Sequence, residues 1–87
     1  MNETSKITVV ETRLSCDALR RMETGETVVF RLPPQEPQLS KAANSDKSLA
    51  YRLQRELRCR FTLSTDFDNA RLTVTRLPLQ RRGERRR

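Results

Sequence analysis

Between residues 40 and 60, apolar side chains recur at helical spacing: at about 100° per residue, Ala42, Ala43, Leu49, Ala50, Leu53 and Leu57 fall on one stripe. A stripe of this length must lie on another apolar surface, so the rest of the chain has to supply one. Asp46 stands inside the stripe and divides the reading. Either one helix runs through the segment, or a short helix ends near Asn44 and a second begins after Ser45 as its N-cap, making a helix-turn-helix. A carboxylate in the apolar stripe of a continuous helix favours the second arrangement.

The other segments read as strands and one short helix. Residues 6–14 are β-branched and partly alternating, with Ile7 and Val9 on one side and Val10 on the other, which suits an edge strand. Ser15 is a good N-cap for a helix over 16–23, because Leu14 and Leu19 have the spacing of a hydrophobic staple, and Gly25 ends it. Over 26–32, Val28, Phe30 and Leu32 alternate with Thr27, Val29 and Arg31. Pro33, Pro34 and Pro37 stop that strand and mark a surface connection. Residues 61–65 and 71–76 are alternating strands joined as a hairpin by 66–70, with Phe67 expected to fold back over the core.

At 87 residues, 33% charged and 34% apolar, the chain supports one small core. The expectation is a single α+β domain over residues 6–79, with two or three helices packed on a three-stranded antiparallel sheet in a winged-helix-like order. Residues 6–14 then add an extra N-terminal strand, while 1–5 and the Arg-rich 80–87 are expected to be disordered. No apolar run approaches the ~20 residues of a membrane span, and the first residues lack a signal-peptide pattern. A cytoplasmic protein with no membrane partner and two reduced thiols, Cys16 and Cys59, is expected.

Several chemistries are excluded by residue type. The chain has no histidine, which removes His-based acid/base catalysis, His-activated nucleophiles and Cys₂His₂ zinc sites. Gly25 and Gly83 are its two glycines, too few for a phosphate-binding loop or a dinucleotide fingerprint. Asp66, Asp68 and Asn69 resemble the opening of a calcium loop but lack its sixth-position glycine and closing glutamate, so they are expected to cap a turn. Tyr51 as a strand-transfer nucleophile would need a larger scaffold. No enzymatic activity, cofactor or metal is expected.

Charge points elsewhere. Eighteen basic residues face eleven acidic ones for a net +7, and fifteen of the eighteen are arginine. Arg81, Arg82, Arg85, Arg86 and Arg87 stand in the last seven residues against Glu84 alone. Guanidinium groups bind phosphate bidentately, and such a run contributes salt-sensitive, sequence-independent affinity for nucleic acid. On the helix over 45–59, the side opposite Leu53 presents Lys47, Ser48, Tyr51, Gln54, Arg55 and Arg58, with Asp46 and Glu56 turned toward the apolar side. Arginine and glutamine on a groove-sized helix suit base edges, and serine, lysine and tyrosine suit phosphates. Arg71, Thr73 and Thr75 share the hairpin face opposite Leu72 and Val74, placed as a wing against phosphates.

Leu19-Arg20-Arg21-Met22, Gly25-Glu26-Thr27-Val28-Val29-Phe30, Tyr51-Arg52-Leu53, Phe61-Thr62 and Val74-Thr75-Arg76, spanning about residues 14–77, resemble small proteins encoded by phages and mobile elements. Members with winged-helix-like folds tend to bind DNA, so the resemblance implies a DNA binder in a host cytoplasm, without transferring any site residue. The leading expectation is a small basic protein that binds duplex DNA through helix 45–59, the hairpin and the Arg-rich segment. A homodimer would match two half-sites. The alternatives are a phage accessory or virion protein that binds an acidic protein partner, with Leu77 and Leu79 at the interface edge, and a non-specific RNA or single-stranded DNA binder. Sparse aromatic residues argue against the latter.

Overall fold

The computed structural model describes residues 7–79. The alternating segments become β1 (Ile7–Val9), β2 (Thr27–Arg31), β3 (Cys59–Asp66) and β4 (Arg71–Pro78), with α1 (Cys16–Arg21) after β1 and α2 (Gln38–Leu57) after β2. The strands form one four-stranded sheet in the order β1-β2-β4-β3. β4 runs antiparallel to both neighbours, while β1 pairs parallel with β2, Thr8 opposite Val28.

Both helices lie on one face of the sheet, where Val28 and Phe30 of β2, Leu72 and Val74 of β4 and Cys59 and Phe61 of β3 meet Leu19, Leu39, Ala43, Ala50 and Leu53. Phe30, Leu19, Leu32, Leu72 and Val74 are the largest fully buried side chains. Ala42, Ala43 and Ala50 keep the buried side of α2 thin, so the helix backbone approaches its neighbours closely.

The α+β class and the helix-on-sheet layering agree with the sequence; the expected three-stranded antiparallel sheet does not. Residues 10–26 between β1 and β2 include α1, which gives a connection long enough for a crossover, so the extra N-terminal strand joins in parallel. The β3–β4 hairpin does not project as a wing either. β4 is an interior strand, hydrogen-bonded on both sides.

Local signals account for the element ends. Ser15 caps α1, its Oγ accepting from the Ala18 N–H at 3.1 Å, and the staple residues Leu14 and Leu19 are both buried. α2 starts at Gln38, earlier than the stripe suggested, and the Glu36 carboxylate accepts from the Ser40 N–H at 3.1 Å and the Ser40 hydroxyl at 2.8 Å. In the β3–β4 turn, Asp66 Oδ1 accepts from the N–H groups of Asp68 and Asn69, and the Asn69 amide donates to Oδ2 at 2.8 Å. These bonds, the Asn69 side chain first, hold the Asp66 carboxyl below the usual aspartate range. Phe67 does not fold back: it is 53% exposed, and Ala70 closes the core at that end.

The helix-turn-helix alternative is overturned, because α2 is one continuous helix through Asn44 and Ser45. Asp46 is buried within it, and Arg13 from the β1–α1 connection donates to its Oδ1 at 3.1 Å. Its second oxygen is buried without a hydrogen-bond partner. Burial raises the Asp46 carboxyl above its ordinary value, against the opposing pull of Arg13. The folded chain therefore holds this proton more tightly than the unfolded one. Stability from this group is fully present below the ordinary value and is lost as pH rises through the raised one. No helix among the described residues is long and apolar enough to cross a membrane.

Removing one partner of a buried ion pair costs about 3–5 kcal/mol, and the half exposure of Arg13 reduces this to about 2 kcal/mol. Arg13→Ala should therefore lower urea-unfolding stability by that amount at pH 7, and by less in acid below the ordinary aspartate value, where the raised Asp46 carboxyl holds its proton. An equal loss at both pH values would contradict this account.

Candidate nucleic-acid interface

The sheet and the helices present opposite surfaces. On the face turned away from the helices, strand register sets side chains in rows: Ile7, Thr27, Thr75 and Thr62 in one, Val9, Val29, Thr73 and Ser64 in the next, then Arg31, Arg71 and Asp66. Thr27 and Thr75 share a hydroxyl hydrogen bond of 2.8 Å. Arg31 pairs with Glu11 at 3.0 Å and Arg71 sits opposite Asp66, so these two arginines lie beside carboxylates, whereas Arg60 stands on the same face opposite Leu77. No aromatic ring stands in these rows.

The sequence-predicted residues divide between the two surfaces. Ser48, Tyr51, Arg55 and Arg58 are exposed on the helix side, and Lys47 is half-buried there. Arg71 and Thr73 lie on the far face of the sheet, the layer opposite the α2 residues. Arg81, Arg82, Arg85, Arg86 and Arg87 lie outside the described residues.

Gln54 is a structural residue. Its Oε1 accepts from the Phe61 N–H at 2.8 Å, tying the last turn of α2 to the start of β3. Glu56 faces α1 and pairs with Arg20. Of the two carboxylates expected on the apolar side of α2, Asp46 is buried, whereas Glu56 is exposed and engaged in the ion pair with Arg20.

Among the described residues, the arginines without an ion pair gather most densely where α2 meets β3. Gln54, Arg55, Arg58, Cys59, Arg60 and Leu79 line a groove of about 400 Å³, and no acidic residue among those described contributes to it. Among the described residues, the ion pairs engage Arg13, Arg20 and Arg31, whereas Arg52, Arg55, Arg58 and Arg60 form none. Arg58 holds a left-handed backbone, φ 54° and ψ 54°, and its N–H bonds the Gln54 carbonyl to end the helix. Glycine is the ordinary residue at such a position, and a β-carbon there costs about 1 kcal/mol. That conformation turns the chain from helix to strand and brings Arg58 and Arg60 to the same groove as Arg55.

Arg52 and Arg60 were missed in the sequence. Beginning the alternation of β3 at Cys59 rather than Phe61 would have found Arg60, since Cys59 and Phe61 are buried and Arg60 is exposed between them.

The two neighbouring positions 54 and 55 should behave differently. Gln54→Ala leaves the partly buried Phe61 N–H without its acceptor and should lower stability by about 1–2 kcal/mol, whereas Arg55→Ala on the exposed face should change it by less than about 0.5 kcal/mol. Chemical denaturation of both variants checks the contrast. No protein-family model matches the chain, and neither a curated protein nor a solved structure shows significant similarity to it.

Proposed function

We propose that the protein binds the phosphate backbone of duplex nucleic acid, with DNA the favoured form, through the groove at the α2–β3 junction and the Arg-rich residues 81–87. The observation that carries this reading is the convergence of Arg55, Arg58 and Arg60 on one groove whose described lining holds no acidic residue. Leu79 lines the same groove, and five arginines follow it within eight residues of sequence. Forked guanidinium donors match phosphate oxygens, and several together release condensed counterions on binding.

Two features favour a backbone contact on a duplex. α2 lies along the sheet with α1 beside it, and its arginines gather in the last two turns, a surface suited to lying against phosphates. The exposed face of the sheet lacks the aromatic rings on which unpaired bases stack. Tyr51, Ser48 and Arg52 extend the contact along the helix.

The test is a salt series of binding to random-sequence duplex DNA, duplex RNA and single strands, with the full chain and its Arg55→Ala/Arg58→Gly/Arg60→Ala variant. Each phosphate contact contributes about 0.9 to the slope of log affinity against log salt, so the variant should lose about 2–3 of that slope on duplex DNA. Arg58→Gly alone should raise stability by about 0.5–1 kcal/mol while weakening binding, which separates the groove's role from the fold's. An unchanged slope in the triple variant would overturn the assignment, and an acidic protein partner would become the better reading of the same arginines.

A further inference from the structure

The edges of the sheet are unequal. β1 is three residues long, whereas β3 offers eight, without proline, lysine or any break in its register with β4. An edge of that length exposes a ladder of peptide groups that a second strand can complete. Its orientation follows from its neighbour. Arg76 turns both peptide groups toward β2, its N–H donating to the Glu26 carbonyl at 3.0 Å and its own carbonyl accepting from the Gly25 N–H at 2.6 Å. Phe61, paired with Arg76, therefore turns its peptide groups to the free edge, where Gln54 takes the N–H. By the two-residue repeat, Leu63 and Thr65 present theirs to the same edge.

The side chains along this edge are complementary to their own reversed order. Arg60 and Asp66 stand at opposite ends of the exposed face with Thr62 and Ser64 between them, and half-buried Leu63 is at the centre on the helix side. We propose that β3 pairs antiparallel with β3 of a second copy about a two-fold axis at Leu63, joining two sheets into one of eight strands. In this register Arg60 faces the partner's Asp66, Thr62 faces the partner's Ser64, and Leu63 faces the partner's Leu63. Leu63 exchanges two hydrogen bonds with its symmetry mate, and each Thr65 N–H reaches the partner's Phe61 carbonyl. The Gln54 bond to Phe61 closes the ladder at both ends.

A two-residue slip would set Thr62 against the partner's Asp66 and lose the charge match, which fixes the register. A second copy is the fitting occupant because an isologous interface requires this self-complementarity. The pairing leaves Arg55 and Arg58 of both copies at their grooves and engages Arg60 with the partner's Asp66, so in the dimer the groove meets phosphate through Arg55 and Arg58.

Sedimentation equilibrium of the full chain without nucleic acid tests the proposal. The mass should rise from one chain toward two across a roughly hundredfold concentration series. Leu63→Lys should hold it at one chain, and Arg60→Glu, on an exposed position that leaves the core intact, should raise the dimerisation midpoint several-fold. In a Cys16→Ser background, Thr62→Cys with Ser64→Cys should give disulfide-linked dimers on mild oxidation, since facing residues of this non-hydrogen-bonded pair lie within disulfide range. A single-chain mass at the highest concentration would overturn the proposal. So would a midpoint unmoved by Arg60→Glu, or the absence of the cross-link.

Discussion

A sheet has two faces, and this chain has apolar side chains enough to bury one. Val28 and Phe30 of β2, Cys59, Phe61 and Leu63 of β3 and Leu72 and Val74 of β4 form a single layer beneath α1 and α2, and the outward positions are filled largely by threonine, serine and arginine. Threonine suits that task, because its branched β-carbon favours the extended backbone while its hydroxyl tolerates water. The helices must therefore carry both the cover of the core and most of the free charge. α2 does so by turning alanine and leucine inward and arginine outward, and its last turn, its Arg58 cap and the start of β3 bring Arg55, Arg58 and Arg60 to the boundary between the layers.

Asp46 shows why a local rule misled. A carboxylate in an apolar stripe argues for a break in the helix if the helix is considered alone. Its counter-charge comes from Arg13, thirty-three residues earlier, in the connection that follows β1. No pattern within the stripe announces that partner. Once it is present, continuity costs less than two extra helix ends, each with unsatisfied backbone groups. The sheet topology escaped for a similar reason: alternation identified β2, β3 and β4, but the parallel pairing of β1 depends on where a crossover lands.

More of the candidate site's exposed face than of the topology was legible. The spacing that put Tyr51, Arg55 and Arg58 outward was sufficient, since exposure on a helix follows its period. Gln54 lies one residue from Arg55, at a margin where a wheel cannot separate a solvent-facing amide from one bonded to the next strand. Arg60 depended on the starting register of β3, and the left-handed turn at Arg58 that joins it to the groove has no signature in composition. Arg71 and Thr73 were correctly assigned to one face of the hairpin, but which layer lay behind that face was a tertiary matter.

The brevity of β1 has a kinetic meaning. Its pairing with β2 closes a loop that contains α1, so it is a non-local contact, and its Ile7 and Val9 side chains, 68% and 61% exposed, gain little from burial. The β3–β4 hairpin, joined by a four-residue turn, requires far less chain ordering. Assembly thus favours the hairpin and α2 first, with β1 joining last and detaching most readily in the native state. Because Arg13 follows β1 closely in the chain, the strand's docking also delivers the counter-charge for Asp46. The weakest strand is coupled in this way to the charge at the centre of the longest helix.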